Sequence, residues 1–195
     1  MKRIICAISL GVLLATPVLS QAIDTRPMIR VTNEHSGQYD DSLDTFTETK
    51  FYGPYQFRVL KDAIETQGET KDIDGRVFRT SDGVFMHVKA KSIDSTLEAE
   101  VNEIVKDRTI PEPTVKMVLP IKDDVIEVYN DGVRSLLAEF MYGWPLKNRT
   151  DMVLVTDYEG TRYYYKLQFY RDRLPNDVRI EQLRQMIMDA QFSFK

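Results

Sequence analysis

The 195-residue chain predicts an α+β fold in which an antiparallel β-sheet is sandwiched by helices. Three observations predict it. Short β-rich segments recur in pairs around strong turn signals, as hairpins do. Two other segments carry apolar residues at helical spacing. These helices stand at separate places among the hairpins, without the regular βαβ alternation of a doubly wound nucleotide-binding fold.

The first segment is read as an address. Met1-Lys2-Arg3 is followed by an apolar run from Ile4 to Leu19, and Ser20-Gln21-Ala22 places small residues at a signal-peptidase site. The run is short of the ~20 residues of a spanning helix. Cleavage near Ala22 is expected, with no stable membrane span afterwards and a periplasmic or secreted destination, the signal being bacterial in style. A lipoprotein would need a cysteine at the end of the run, whereas the single cysteine is Cys6. The mature chain would have no cysteine, so disulfides, thiol catalysis and cysteine metal sites are excluded. It would also lose Lys2 and Arg3, taking the formal charge from −4 to −6. A strongly basic nucleic-acid surface is therefore not expected as a property of the whole chain. With 43% hydrophobic and 29% charged residues, wholesale disorder and a multi-span membrane protein are excluded as well.

Residues 23–50 are polar and aperiodic and are read as a flexible or loosely docked N-terminal arm, with a short strand at 28–31. Residues 51–195 are read as a single α+β domain. Tyr55 to Leu60 is a strand after Pro54. Arg76 to Thr80 and Gly83 to Ala90 form a hairpin around Ser81-Asp82-Gly83. Asp94 to Asp107 is the clearest helix: Ser95-Thr96-Leu97-Glu98 fits a capping box, and Leu97, Val101, Ile104 and Val105 form one stripe.

Further strands are expected at Thr114 to Leu119, then around Asn130-Asp131-Gly132 (Asp124 to Tyr129, Val133 to Tyr142) and around Tyr158-Glu159-Gly160 (Asp151 to Asp157, Thr161 to Tyr170). Tyr163, Tyr164 and Tyr165 must alternate faces, so one side is exposed or lies under a helix. The charged Arg171-Asp172-Arg173 reads as a solvated lead-in to a second helix. That helix has Asn176 as N-cap after Pro175 and a stripe of Val178, Leu183, Met186, Ile187 and Ala190. Phe192-Ser193-Phe194-Lys195 reads as a short final strand.

This order resembles the PsbP-like fold, which includes the bacterial DcrB-like exported proteins. The resemblance rests on Tyr52-Gly53-Pro54-Tyr55-Gln56-Phe57 at the first domain strand, the capped helix at 95–107, the meander at 124–170 and the helix running into Phe192-Ser193-Phe194-Lys195. It implies an antiparallel sheet between helices, and a role as an extrinsic subunit, adaptor or binding protein more than as an enzyme. The chain departs from several such proteins in lacking a lipidation cysteine and in having Tyr55 where an apolar or Trp-containing segment is expected.

Catalytic constellations are sparse. His35 and His87 are the only histidines and lie in different segments, while Asp40 to Asp44 lacks the glycine and distal glutamate of a calcium loop. There is no Gly-x-Ser-x-Gly elbow and no phosphate-binding loop. No catalytic residue, metal or cofactor is assigned. The segment that stands out is Phe140 to Arg149, which combines Tyr142, Trp144, Lys147 and Arg149 with shape-fixing Gly143 and Pro145. These residue types are enriched at interface hot spots. Two readings are open: a binding surface, or a buried aromatic plug closing one end of the sheet.

The expected function is that of an exported, non-catalytic interaction or adaptor protein with a protein partner. The alternatives are an immunity-type inhibitor of a periplasm-delivered toxin and a small-molecule or lipid-binding module.

Overall fold

A computed structural model describes residues 31–36, 41–66, 74–112, 115–146, 148–174 and 177–192. The signal segment 1–22, Lys147, Asn176 and the 193–195 end of the expected final strand lie outside the described residues. In chain order the elements are β1 (Val31–Ser36), β2 (Thr47–Tyr52), β3 (Tyr55–Leu60), β4 (Ile64–Glu65), β5 (Arg76–Arg79) and β6 (Phe85–Ser92). Helix α1 (Leu97–Lys106) follows, then β7 (Ile110–Glu112), β8 (Val115–Val118), β9 (Lys122–Asn130), β10 (Val133–Met141), β11 (Arg149–Tyr158) and β12 (Thr161–Tyr170). Helix α2 (Asp177–Met188) and β13 (Gln191–Phe192) close the fold. Short 3-10 turns span Asp41–Thr45 and Arg171–Arg173.

The main sheet runs β1-β9-β10-β11-β12-β6-β5-β4, with β13-β3-β2 as a second sheet and β7-β8 as a third. All pairings are antiparallel except β1 with β9, which is parallel. The α+β class with mainly antiparallel strands is as expected. The 23–50 arm requires correction: within it, β1 extends the main sheet, and Thr47 pairs with Leu60 where β2 meets β3. Strand pairing thus begins ahead of the expected domain start at 51.

The two strongest turn signals form the tightest hairpins. Asp131 and Gly132 both have positive φ (49° and 78°), as do Glu159 and Gly160 (46° and 77°). That is the geometry whose twist matches antiparallel strands. Asn130 does more than turn the chain. Its Nδ2 donates to the carbonyls of Met188 and Ala190, both at 2.6 Å, satisfying acceptors left open where α2 ends.

Side-chain alternation builds a core on each face of the main sheet. On one face Leu137, Leu154, Tyr165 and Met86 pack with Phe57 and Val59 of β3 and with Leu183, Met186 and Ile187 of α2. On the other, Leu136, Ala138, Val155 and Tyr164 pack beneath Leu97, Val101 and Val105 of α1. Each such aliphatic side chain contributes ~1.5–3 kcal/mol on burial. β10 is buried from Ser135 to Phe140 because both of its faces are covered. The tyrosine run resolves the same way: Tyr163 and Tyr165 enter the first core, and Tyr164 lies in the second with α1. Its hydroxyl donates to Glu100 Oε1 at 2.7 Å.

Two local expectations change. Thr96, not Ser95, caps α1, accepting from the Ala99 amide at 3.2 Å. The Ser95 hydroxyl instead accepts from the buried Arg162 guanidinium at 2.9 Å. Val178 is 64% exposed and leaves the α2 stripe, whereas Leu183, Met186, Ile187 and Ala190 are buried. Among the described residues no helix is long and apolar enough to cross a membrane.

Candidate functional site

The loop from Tyr142 to Asn148 joins the end of β10 to the start of β11, and it is tightly tied. The Tyr142 amide donates to the Arg149 carbonyl (2.8 Å), the Leu146 amide to Gly143 (2.9 Å) and the Arg149 amide to Leu146 (3.0 Å). Asn148 has a φ of 55°, a value that asparagine tolerates better than most residues. Its side chain donates to Asp172 at 2.7 Å, and its carbonyl accepts from the Arg171 amide at 3.1 Å. The loop is therefore braced against the 171–173 turn.

The expected site residues divide into support and surface. Tyr142 is 1% exposed, and its hydroxyl donates to the Arg108 carbonyl at 2.6 Å. Burial, reinforced by the Asp151 charge, pushes its phenol up to about 12. Arg149 donates through Nε and Nη2 to the two oxygens of Asp151 at 2.7 and 2.6 Å, with its guanidinium 5.9 Å from the Tyr142 ring centre. Burial works to lower the Arg149 pKa, but the Asp151 hydrogen bonds and charge outweigh it, and the net shift is upward. A half-buried, bidentate arginine of this kind stiffens its surroundings and has little left to offer a partner. Tyr142 and Arg149 are thus the buttress of the loop, not its contact groups.

Trp144 is 85% exposed. The plug reading fails for this residue, and two exposed apolar residues absent from the sequence-based set stand nearby in the chain before β9, of which Ile121 packs beside the loop. Leu119 is 63% and Ile121 71% exposed. The Ile121 amide donates to the Met141 carbonyl at 2.7 Å, which extends the β9 side of the sheet beside the loop. A Cβ on Gly143 would stand 3.5 Å from Ile121 Cγ2, so Ile121 lies against the loop backbone next to Trp144. The signal was present in the sequence as two apolar residues flanking Pro120, but periodicity alone could not say that they stay uncovered.

An open cleft of about 660 Å³ runs from this rim between α2 and β10–β11. Ile121, Met141, Leu174 and Ile180 supply apolar lining. Arg184 and Glu139 cross its wall, with Arg184 Nη2 donating to the two Glu139 oxygens at 2.8 and 3.0 Å. The arrangement offers an exposed aromatic-aliphatic rim, a partly apolar groove and a rigid backing.

No family model matches the chain, and no curated protein matches it. Among solved structures, the chain is similar to cyanobacterial PsbP (CyanoP) from Synechocystis sp. PCC 6803. The TM-score is 0.51 at 17% identity, covering 76% of this chain and 93% of that one. The fold is PsbP-like. At that identity the likeness shows the fold alone. The chain is also matched to PA94, a protein of unknown function from Pseudomonas aeruginosa, at TM-score 0.39 and 8% identity, covering 73% of this chain and 96% of that one.

Proposed function

We propose that this chain is an exported, non-catalytic interaction protein of the periplasm, built on a PsbP-like α/β/α sandwich related to the DcrB-like exported proteins. Its contact surface is the Leu119–Ile121–Trp144 rim and the adjoining cleft. The observation that carries the reading is the 85% exposure of Trp144 on a loop tied by the Tyr142, Leu146 and Arg149 amides and by the Tyr142 hydroxyl. Burying one tryptophan removes about 200 Å² from water, which at about 25 cal/mol per Å² is at most ~5 kcal/mol of association energy. A rigid loop loses little entropy when it docks, so more of that energy survives as affinity. The leader-like first twenty-two residues support export.

The test is a crosslinked pull-down of residues 23–195 from the native envelope fraction, run beside Trp144→Ala and Ile121→Ser. One dominant partner should be captured by the unmodified chain and lost with both variants while their melting curves stay unchanged. Capture of the same partner by both variants refutes this surface.

A further inference from the structure

A second depression, of about 440 Å³, lies at the end of the sheet where β5, β6 and β12 meet the 171–173 turn. Its register is explicit. Arg79 pairs with Phe85, and Phe85 with Gln168, in one row across three strands; His87 and Lys166 pair in the next row. Arg79, Lys166 and Arg173 line it from three different elements.

These three cations differ from the arginines of the chain that pair with carboxylates. Arg58, Arg108, Arg134, Arg149, Arg162 and Arg184 each sit on a carboxylate. Arg79, Lys166 and Arg173 have no carboxylate partner among the described residues. The nearby acidic groups have other hydrogen-bond partners. Asp82 accepts from the Thr80 hydroxyl, and Asp151, in the row of Gln168, is held by Arg149. No carboxylate lines the depression. His87, beside Lys166 in the sheet, is held below its ordinary pKa mainly by burial, with smaller contributions from Lys89 and Lys166 opposed by the Asp74 carbonyl and carboxylate.

The arginines are also preset. The Arg79 guanidinium lies 5.3 Å from the Phe85 ring centre, and that of Arg173 lies 4.9 Å from the Tyr170 ring centre. Arg173 Nη1 is packed against the turn at Gly83, where a Cβ would fall 2.9 Å from it. With no carboxylate among the lining residues, an anion entering the depression meets only positive side-chain charge. Two planar guanidiniums and an ammonium lining one depression from three elements suit a tetrahedral dianion better than a single carboxylate. The volume fits a small organic ligand.

We propose that this depression is a binding site for a small organic phosphomonoester, with Arg79, Lys166 and Arg173 on the phosphoryl oxygens and Gln168 and the Tyr170 edge beside the organic part. This site is separate from the Trp144 rim and does not depend on it.

The experiment is calorimetric titration of the full mature chain with phenyl phosphate, with inorganic phosphate as competitor. Saturable one-to-one binding is expected. Arg79→Gln and Lys166→Gln should each weaken it about tenfold or more, as loss of a charge-assisted contact does. Lys61→Gln, which alters a cation lining neither depression, should leave it unchanged. Circular dichroism confirms that each variant is folded. Competition by inorganic phosphate at similar affinity would identify free phosphate as the ligand, and much weaker competition would identify the organic ester; both place phosphoryl recognition here. Absence of saturable binding, equal affinity in all variants, or binding only to anionic vesicles or an oligonucleotide overturns the proposal.

Discussion

Arg162 tests whether buried charge is what clamps α1 to the sheet. The residue is 0% exposed, and each of its five N–H groups has an acceptor. Nε and Nη2 donate to Asp157 at 2.6 and 2.8 Å. Nη1 donates to Ser95 Oγ at 2.9 Å and Glu100 Oε2 at 3.2 Å, and Nη2 also reaches the Ser95 carbonyl at 2.7 Å. One side chain on β12 therefore fixes β11, the lead-in to α1 and the first turns of that helix. Breaking a fully buried pair costs about 3–5 kcal/mol. Here Asp157 and Glu100 keep 26% and 18% side-chain exposure, so water relieves part of the stranded charge. For Arg162→Met we expect a loss of about 2–3 kcal/mol after that discount. In a chain of this length that is a fall in Tm of about 5–10 °C. Arg162→Lys keeps the charge and loses the fork, and should cost about 1–2 kcal/mol. Urea unfolding followed by circular dichroism measures both. Amide exchange should rise first in residues 95–106. An Arg162→Met change within about 0.5 kcal/mol of the parent chain would refute the clamp, since surface substitutions reach that size.

Other predictions concern the rim and the titrating groups. Trp144→Ala should alter stability by no more than about 0.5 kcal/mol, while Tyr142→Phe, which removes the bond to the Arg108 carbonyl, should cost about 1 kcal/mol; urea melts separate the two. Tyr142 and Tyr164 are raised to about 12, each first by burial, and Tyr165 is raised too. Their unfolded phenols titrate near pH 10, so the stabilisation they lend is complete below about pH 10 and is lost as pH climbs toward the folded values. Phenolate absorbance should therefore lag for these rings and appear together with unfolding; smooth ionisation of all tyrosines near pH 10 in a folded chain would contradict this. Glu98 and Glu127 are held below the ordinary carboxyl value chiefly by hydrogen bonds from Arg134. That contribution is present above about pH 4.3 and disappears as pH falls through the lowered values. Stability should consequently decline more steeply in acid for the parent chain than for Arg134→Gln.

The legible parts of the fold were those set by local chemistry. Asn130-Asp131-Gly132 announces a hairpin because few residues other than glycine, asparagine and aspartate accept positive φ, and Gly160 marks the second turn in the same way. The α1 stripe shows in its spacing, and Leu97, Val101 and Val105 are buried as that spacing requires. What stayed hidden depends on partners distant in the chain. The parallel pairing of β1 with β9 leaves no local trace. The polar Thr-Glu-Thr-Lys start of β2 reads as loop until β3 supplies its partner strand. Ser95 looks like a helix cap, but Arg162 claims its hydroxyl from the neighbouring sheet. At the candidate site the residue types in 140–149 marked this loop, but sequence could not separate the buttress, Tyr142 and Arg149, from the exposed Trp144. Ile121 lies beside the loop because its amide bonds to the Met141 carbonyl, a pairing that spans distant parts of the chain.

Because Trp144 is the chain's single tryptophan, its fluorescence reports the rim without labels. Acrylamide quenching of the purified mature protein tests the central claim most directly. The account predicts red-shifted emission and a quenching constant near that of a free tryptophan amide, unchanged on urea unfolding. Blue-shifted emission, with slow quenching that rises sharply on unfolding, would show Trp144 packed inside the protein and would contradict a contact surface at this loop.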